Sequence, residues 1–156
     1  MKYFWAIAVI GISIAAAFYL FGGMRHGPSM QQTTIQIGGV PVTVDVATTT
    51  ADREQGLSGR TSLPQGRGML FIFSQEGLWG FWMKDMHFSI DILWIDASGR
   101  VVTVEQLVSP STYPETTFYP SSPARYVLEV PAGFAQLNGV EIGSQMSLPD
   151  LHALGM

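Results

Sequence analysis

Four charged side chains in this sequence have the chemical types that a binding pocket or an acid–base site requires: Arg60, Lys84, Asp91 and Glu129. Asp91 stands in the apolar run Ile90–Asp96, where a strand would place it on one face with Leu93 and Ile95. A carboxylate among such neighbours must be protonated, paired or hydrogen-bonded, because a bare buried charge costs several kcal/mol. If the four side chains meet at one mouth of the fold, they would suit a polar ligand of anionic or sugar-like chemistry, with Asp91 as a general acid or base.

The same residues also have a structural interpretation. Charged groups inside proteins are usually paired or hydrogen-bonded, and an internal ion pair or a turn cap would satisfy Asp91 without any ligand. The cations available for such a pair are Arg53, Arg60, Arg67, Lys84 and Arg125. The sequence favours this structural role over a pocket, and we assign no catalytic residue.

Four aromatic residues crowd a short stretch of the chain: Trp79, Phe81, Trp82 and Trp94. Aromatic clusters of this kind usually form core. The alternative is an exposed platform for a sugar, a peptide or a partner protein, with Trp79 and Trp82 as its contact residues.

Other kinds of chemistry lack the residues that they need. Cysteine is absent, so disulfides, thiolate metal sites and cysteine nucleophiles are excluded. His26, His87 and His152 show no paired spacing, and we therefore predict no metal site. Residues 56–59 (GLSG) are one residue short of the nucleophile elbow of hydrolases. The sequence contains neither a phosphate-binding loop nor a dinucleotide fingerprint, so we expect no cofactor. The motifs favour a protein that is not an enzyme.

The charge balance argues against nucleic acid as a ligand. The 156 residues include 8 basic and 12 acidic side chains, which gives a net charge of −4. Residues 1–32 hold two of the basic groups, so the remainder carries 6 basic and 12 acidic groups, a net charge of −6. A protein that binds the phosphate backbone needs a basic stripe instead.

The run Tyr3–Phe21 is uncharged and apolar over nineteen residues. At about 1.5 Å per residue, it would span close to 30 Å as a helix, which is the thickness of the hydrocarbon core of a bilayer. We therefore predict a transmembrane anchor in the lipid bilayer over residues 1–21, a flexible linker over 22–32 and a β-rich soluble domain over 33–156. A signal peptide cleaved near Ala15–Ala17 is the rival interpretation.

The soluble part shows a succession of strand signals. Ile35 and Ile37 alternate with polar residues, Gly38-Gly39 form a turn, and Val42 opens a second alternating run, which together predict a hairpin. Further strands are predicted at Met69–Phe73, Phe81–Met86, Ile90–Asp96, Val101–Val108, Tyr126–Val130 and Gln145–Leu148, with short helices after Thr49 and between Pro131 and Leu137. Short strands joined by Gly and Pro turns predict a mainly β fold, a compact antiparallel sandwich or barrel with one or two short helices.

Several blocks of the soluble part resemble domain-of-unknown-function family 192. The blocks are, in order, Arg53-x-x-Gly56-Leu57-x-x-Arg60, Leu63-Pro64, Gly68-Met69-Leu70-Phe71-x-Phe73, Phe81-Trp82-Met83-Lys84, Asp91-Ile92-Leu93-x-Ile95-Asp96-x-x-Gly99 and Val127-Leu128-Glu129-Val130-x-Ala132-Gly133, followed by Gly139 and Gly143. The resemblance covers residues 33–148. It implies a compact, jelly-roll-like, mostly β domain that often follows an export signal, and it supplies no catalytic residues.

The distribution of charge around the apolar run predicts the side of the membrane. Lys2 and the amino terminus precede the run and Arg25 follows it, so the positive-inside bias places the domain on the extracytoplasmic, periplasmic side of the cell (inner) membrane by about one charge. We therefore expect a membrane-anchored, non-catalytic binding or accessory module, such as an accessory subunit or assembly aid of a membrane protein complex. The alternative is a small-ligand-binding protein or an enzyme that acts at the four-residue pocket.

Overall fold

The computed structural model of the protein describes residues 30–147 and 149–154. The predicted anchor and most of the predicted linker lie outside these residues. Among the residues that are described, no helix is both long and apolar enough to cross a bilayer.

The described chain consists mainly of strands joined by turns and loops. The strands are β1 (Gln32–Ile37), β2 (Val40–Ala47), β3 (Arg67–Gly77), β4 (Ile90–Ile95), β5 (Val101–Val108) and β6 (Ala124–Pro131). The α-helices are α1 (Thr50–Gln55) and α2 (Phe134–Asn138), and a 3-10 turn spans Pro110–Thr112. The prediction of a mainly β domain with one or two short helices is confirmed, and the structure has two.

β1 and β2 form the predicted hairpin. Ile35 pairs with Val42, and both side chains are buried, as the alternation of apolar and polar residues requires. Gly38 and Gly39 connect the strands with φ values of 58° and 83°. This left-handed backbone matches the twist of a two-residue hairpin turn, and glycine adopts it without a steric cost.

The strands form one mixed sheet in the order β1-β2-β3-β6-β4-β5. Neighbouring strands are antiparallel except β2 and β3, which run parallel with Thr43 beside Arg67 and Ala47 beside Phe71. The predicted antiparallel arrangement is therefore wrong at this one pair. Residues 48–66 carry α1 and cross over between the two strands, which a parallel pair requires.

The two edges of the sheet are linked by a short segment near the carboxyl terminus. The backbone N–H of Gly38 donates to the Gln145 carbonyl at 2.9 Å, and the N–H of Met146 donates to the Gly99 carbonyl at 2.7 Å. The edge strands β1 and β5 therefore lie near one another, as in a sandwich or a barrel. Leu148, the end of the predicted strand Gln145–Leu148, lies outside the described residues. In the described part, Met146 forms an isolated bridge with Ile37 and Gln145 forms one with Arg100, in place of a continuous strand.

Both faces of the sheet are buried, and they differ in what covers them. The first, which we call the α2 face, is covered by α2 and the carboxyl-terminal segment, and its buried residues include Ile35, Val44, Leu70, Leu93, Leu128 and Phe134. The second, which we call the α1 face, is covered by the segment after α1 and by loops, and its buried residues include Leu57, Met69, Phe71, Met83, Ile92, Trp94 and Val127. Alternation along each strand sends successive side chains to opposite faces.

The segment 79–86 crosses the α1 face as a loop. Phe81 makes a single antiparallel bridge with Phe118, and a turn bond joins the Met86 N–H to the Met83 carbonyl. Asp85 has a φ of 54°, which interrupts an extended backbone. The predicted strand at Phe81–Met86 is therefore wrong, although its apolar side chains do pack onto the sheet.

Candidate functional site

A cleft of about 250 Å³ opens on the α1 face, between α1 and the segment 79–86. One wall comes from α1 and the residues after it, the other from the aromatic segment, and the floor from β3 and β6. Its lining residues are Thr50, Arg53, Glu54, Gln55, Gly56, Leu57, Ser58, Phe71, Phe73, Trp79, Gly80, Phe81, Trp82, Met86 and Glu129. The lining therefore combines five aromatic rings, mostly on the side of the segment 79–86 and β3, with six polar or charged residues, mostly on the side of α1.

The aromatic wall is held by defined contacts. The rings of Phe73 and Trp79 are stacked, with centroids 4.2 Å apart and an interplanar angle of 7°. The indole N–H of Trp79 donates to the Ala124 carbonyl at 2.9 Å. Phe81 packs edge-to-face on Phe71 at 4.8 Å. Offset and edge-to-face pairs of this kind fix ring orientation, so the wall is preformed.

The opposite wall begins at α1, which has the predicted cap. The hydroxyl of Thr49 accepts a hydrogen bond from the Asp52 N–H at 3.1 Å and donates to the Asp52 carboxylate at 2.6 Å. The guanidinium of Arg53 donates to the carbonyls of Thr48 and Ile72 and lies 5.2 Å from the centre of the Phe73 ring. Arg53 thus ties α1 to β3 and to the aromatic floor of the cleft.

The two walls are also joined to each other by hydrogen bonds. The Ser58 hydroxyl donates to the Lys84 carbonyl at 2.9 Å, and the Gly59 N–H donates to the Asp85 carbonyl at the same distance. These bonds fix the width of the cleft without help from a ligand. Lys84 takes part in these hydrogen bonds through its backbone carbonyl. The residue is exposed and does not line the cleft.

Glu129 is the buried acid of the cleft. The residue is 5% exposed, and its Oε2 atom is buried without a hydrogen-bond partner among the described residues. Burial raises the pKa of Glu129 from its ordinary 4.5 to about 8, and the positive charge of Arg60 opposes this rise. The carboxyl group is therefore mostly protonated near neutral pH, and it can lose its proton when a ligand binds.

Arg60 is bonded to Asp45 rather than to Glu129. Its guanidinium donates to Asp45 Oδ2 at 2.7 Å, while Arg67 and Gln32 donate to Oδ1 at 3.2 and 2.7 Å. Asp45 thus forms ion pairs with both arginines beside the cleft. Sequence reasoning missed Asp45, although its place in the alternating run of β2 puts it on the α1 face.

Asp91 lies on the other side of the sheet. Asp91 pairs with Val130, whereas Glu129 pairs with Ile92, which is one position away along each strand. The two acidic side chains therefore point to opposite faces of the sheet. Asp91 is fully buried and accepts backbone N–H bonds from Leu107 at 2.8 Å, Gly133 at 3.0 Å and Ala135 at 2.9 Å. It caps α2 and supports the left-handed backbone at Leu107, whose φ is 56°.

The structure therefore assembles only part of the predicted pocket. Glu129 lines the cleft, Arg60 lies close enough to affect its charge, and the predicted aromatic contact residues Trp79 and Trp82 line the wall. Asp91 is on the α2 face and the Lys84 side chain is not in the lining, so these four charged residues do not form one mouth. The structural role favoured for Asp91 agrees with its hydrogen bonds, in which it acts as a cap.

Sequence reasoning also missed most of the apolar lining. Phe71 and Phe73 follow Met69 at two-residue spacing on β3, and Met69 pairs with Glu129 across the sheet. That spacing would have placed both rings on the face of Glu129 once the pairing was known. The contribution of α1 carried no signal in the sequence, since it depends on the crossover between β2 and β3.

Metal coordination has no support in the described part of the chain. No group of three or more His, Asp or Glu side chains lies there in a suitable arrangement. The cleft offers instead an apolar body, a single deeply buried carboxyl group and an exposed rim.

Two solved structures are similar to this chain. A "putative transcription regulator" of Sinorhizobium meliloti 1021 superposes with a TM-score of 0.73 and 28% identity, over 78% of this chain and 96% of that one. A protein of unknown function from Novosphingobium aromaticivorans superposes with a TM-score of 0.70 and 26% identity, over 76% of this chain and 86% of that one. In both cases the superposition covers most of the solved chain.

The comparisons also decide the family. No curated protein matches the chain. The sequence pattern of DUF192, described as an uncharacterized ACR family, matches residues 33–148, which is most of the chain and the same span as the resemblance in the sequence. The chain is therefore a member of the DUF192 family.

Proposed function

We propose that this protein is a membrane-anchored, extracytoplasmic binding module and that the cleft on the α1 face is its binding site. The observation that carries the proposal is a preformed cleft lined in part by aromatic rings, with the Glu129 carboxyl group inside it, whose buried Oε2 atom has no hydrogen-bond partner among the described residues. Apolar concave sites with a few convergent polar groups and a perturbed acid are typical of small-molecule sites. The anchor Tyr3–Phe21 holds this site at the membrane, on its outer side.

A binding role agrees better with the lining than a catalytic one. Acid–base catalysis requires an acid or base that meets a reacting atom, usually with a second group that activates a nucleophile or stabilises charge. Among the described residues, Glu129 is the one acid of the cleft that is deeply buried, and no histidine lines the cleft. The other acid of the lining, Glu54, is exposed at the rim.

The charge of the domain does not favour the role of transcription regulator, which the name of the Sinorhizobium protein suggests for that protein. Residues 33–156 carry 6 basic and 12 acidic groups. Two of the six, Arg60 and Arg67, are paired with Asp45. DNA binding would require a basic surface, and we therefore do not extend a regulatory function to this chain.

The binding role is tested on the full chain in mild detergent with a library of small fragments. We expect some fragments to raise the Tm, and we expect the response to weaken in Trp82→Ala, because this half-exposed ring lies at the mouth of the cleft. Leu137→Ala is the matched control, because Leu137 is exposed on the opposite side of the sheet. A library without any hit, or hits that Trp82→Ala leaves unchanged, would contradict a binding site here.

The location is tested separately. A reporter that is active only in the periplasm, fused to the carboxyl terminus, should be active, and the protein should stay in the membrane fraction during alkaline carbonate extraction. A silent reporter would reverse the orientation. Recovery in the soluble fraction would support a cleaved signal peptide instead of an anchor.

A second candidate is an accessory subunit of a membrane protein complex. Large apolar side chains are exposed on the segment 79–86 and beside it: Leu78, Trp82 and Tyr119 are 58%, 56% and 60% exposed. Tyr119 lies directly against Gly80, so these residues belong to one neighbourhood. Tethering in the membrane would raise the effective concentration of a partner in the same bilayer to the order of millimolar. Co-purification of a stoichiometric membrane partner, lost in Tyr119→Ala and Trp82→Ala, is the expected result.

A further inference from the structure

The buried Oε2 atom of Glu129, which has no hydrogen-bond partner in the described part of the chain, restricts the chemistry of a ligand that fills the cleft. A buried polar group without a hydrogen bond raises the free energy of the empty site, and a ligand that completes its bonding removes this cost. A ligand must therefore bring either a cation or a hydrogen-bonding group to Glu129. The remaining lining decides between these two.

On the basis of the binding role proposed above, we propose that the cleft binds a small organic cation, an amine or a quaternary ammonium group. Its charged head would lie at Glu129, and its apolar body would lie among Phe71, Phe73, Trp79 and Phe81. The cleft volume of about 250 Å³ is slightly below the range of about 300–1,000 Å³ that drug-sized ligands occupy, which suits a compact ligand.

The aromatic lining supports a cation. A positive charge over the face of Trp, Tyr or Phe is attracted by the ring, and ligands with quaternary ammonium groups are recognised by aromatic cages. The protein already uses this contact internally, since the Arg53 guanidinium lies 5.2 Å from the centre of the Phe73 ring. Because Phe73 already contacts Arg53 and Trp79, a cationic ligand would depend on the other rings of the lining, those of Phe71, Trp79 and Phe81.

The charged groups nearby restrict where the head of a cation can lie. They are Asp45 on β2, Arg67 on β3, Arg60 after α1, Arg53 and Glu54 on α1, and Lys84 and Asp85 at the exposed end of the segment 79–86. Arg60 and Arg67 are bonded to Asp45, and Arg53 is bonded to two backbone carbonyls. These bonds do not remove the charge of the arginines: the single Asp45 offsets one of Arg60 and Arg67, and Arg53 keeps its positive charge in the lining. The ionised carboxylate of Glu129 must therefore supply the attraction for a cation, and the cationic head must lie closer to Glu129 than to Arg53.

Binding of a cation should be coupled to loss of a proton. A cation prefers the ionised form of Glu129, so its affinity rises with pH until the carboxyl group is ionised in the empty protein, near pH 8. A neutral ligand that accepts a hydrogen bond would prefer the protonated acid, and its affinity would fall over the same range. Arginine keeps its charge throughout. The direction of the pH dependence therefore separates the two ligand classes.

The test compares two probes that differ only in charge. Choline carries a trimethylammonium group, and 3,3-dimethylbutan-1-ol is its uncharged carbon analogue. Dissociation constants for both are measured by calorimetry on the full chain in a non-ionic detergent, between about pH 6.5 and about pH 8.5. We expect choline to bind more tightly than the alcohol and its affinity to rise roughly 20-fold over this range, because the ionised fraction of Glu129 rises by about that factor.

Two variants assign the effect to the cleft. Glu129→Gln should remove both the preference for choline and the pH dependence, while Glu141→Gln, which removes an exposed acid outside the cleft, should leave both unchanged. If Glu129→Gln fails to fold, Trp79→Leu provides the second readout, because loss of the ring should weaken choline more than the alcohol. A choline preference that both variants retain would overturn the proposal.

The outcomes also separate this inference from the binding role itself. Equal binding of the two probes, an affinity that falls with rising pH, or no binding of either probe overturns the cation inference. In each of these cases, fragment hits that depend on Trp82 would still support a binding cleft. A fragment library without hits removes the binding role, and the cation inference with it.

Discussion

Two buried acids on neighbouring strands of this sheet have opposite surroundings. Asp91 on β4 and Glu129 on β6 are one residue apart in register, because Asp91 pairs with Val130 and Glu129 with Ile92. On the α2 face, Asp91 accepts three backbone N–H bonds. On the α1 face, Glu129 has a buried oxygen without a partner among the described residues, and it lines a cleft.

The difference separates an acid that supports the fold from one that is available to a ligand. Three backbone N–H bonds use most of the acceptor capacity of the Asp91 carboxyl group and tie it to the fold. A carboxyl group without partners gains nothing from the fold, and the protein carries it at a cost in stability. Burial alone therefore does not distinguish an acid with a structural role from one with a binding role. The hydrogen bonds that each acid makes within the fold distinguish the two.

The largest effect is expected from Asp91→Asn. The amide keeps one acceptor oxygen and turns an NH₂ group toward a backbone N–H, so hydrogen bonds to a charged acceptor are lost in a buried place. We expect the free energy of unfolding to fall by about 3–5 kcal/mol, measured by urea denaturation. Asp85→Asn, at an exposed position, is the control. A variant as stable as the parent would show that Asp91 is not the support described above.

Glu129→Gln should have the opposite sign above neutral pH. The folded pKa of Glu129, about 8, exceeds its ordinary 4.5, so the contribution of its proton to stability is complete below about pH 4.5 and is lost as the pH rises toward 8. The amide that replaces the carboxyl group has no such proton to lose, so we expect the variant to match the parent near pH 4.5 and to exceed it by on the order of 3 kcal/mol at pH 7. Parallel stability curves for parent and variant from acid to alkaline pH would contradict this.

Gly68→Ala tests the backbone beside Glu129. A Cβ at position 68 would lie 2.8 Å from the carbonyl oxygen of Glu129, and that atom cannot move without shifting β6. We expect a loss of about 1–3 kcal/mol of stability and weaker binding in the cleft, because β6 carries Glu129. Ser74→Ala, at an exposed position of the same strand, is the matched control. An unchanged Tm would show that the two strands separate easily here.

Arg60→Gln should have the smallest effect on stability. Its ion pair with Asp45 is partly exposed, and such pairs contribute about 0–1 kcal/mol. The informative result is electrostatic: removal of Arg60 should raise the pKa of Glu129 further, because the charge that opposes the rise is gone. A carbon-13 NMR titration of the carboxyl group measures it. Arg67→Gln, which contacts the same Asp45, should change this pKa less.

Much of the sheet was predictable from the sequence. The β1–β2 hairpin follows from strict alternation and two glycines, and β4 follows from an apolar run that the structure buries at every position. The cap of α1 follows from Thr49 and Asp52. These features depend on residues close together in the chain, which is where patterns of spacing carry information.

The cleft was only partly predictable, because it depends on pairing between distant strands. The sequence identified Trp79, Trp82 and Glu129, but it grouped Glu129 with Asp91 across the sheet. The two acids are separated by the facing of β4 and β6, which no local pattern fixes. The parallel pair β2–β3 was missed for the same reason, and with it the position of α1 as a wall.

The order of the strands also has a consequence for how the chain folds. β6 is the last strand in the sequence, yet it lies between β3 and β4, so β1–β3 and β4–β5 are not joined until it is in place. Before that, β3 and β4 each expose an unpaired edge that invites association with other chains. Pairings so distant in sequence form slowly, and the domain therefore acquires its sheet only after nearly all of it has been synthesised. A chain that stops before residue 124 would have two incomplete sheets, and the cleft would lack the part of its floor that β6 supplies.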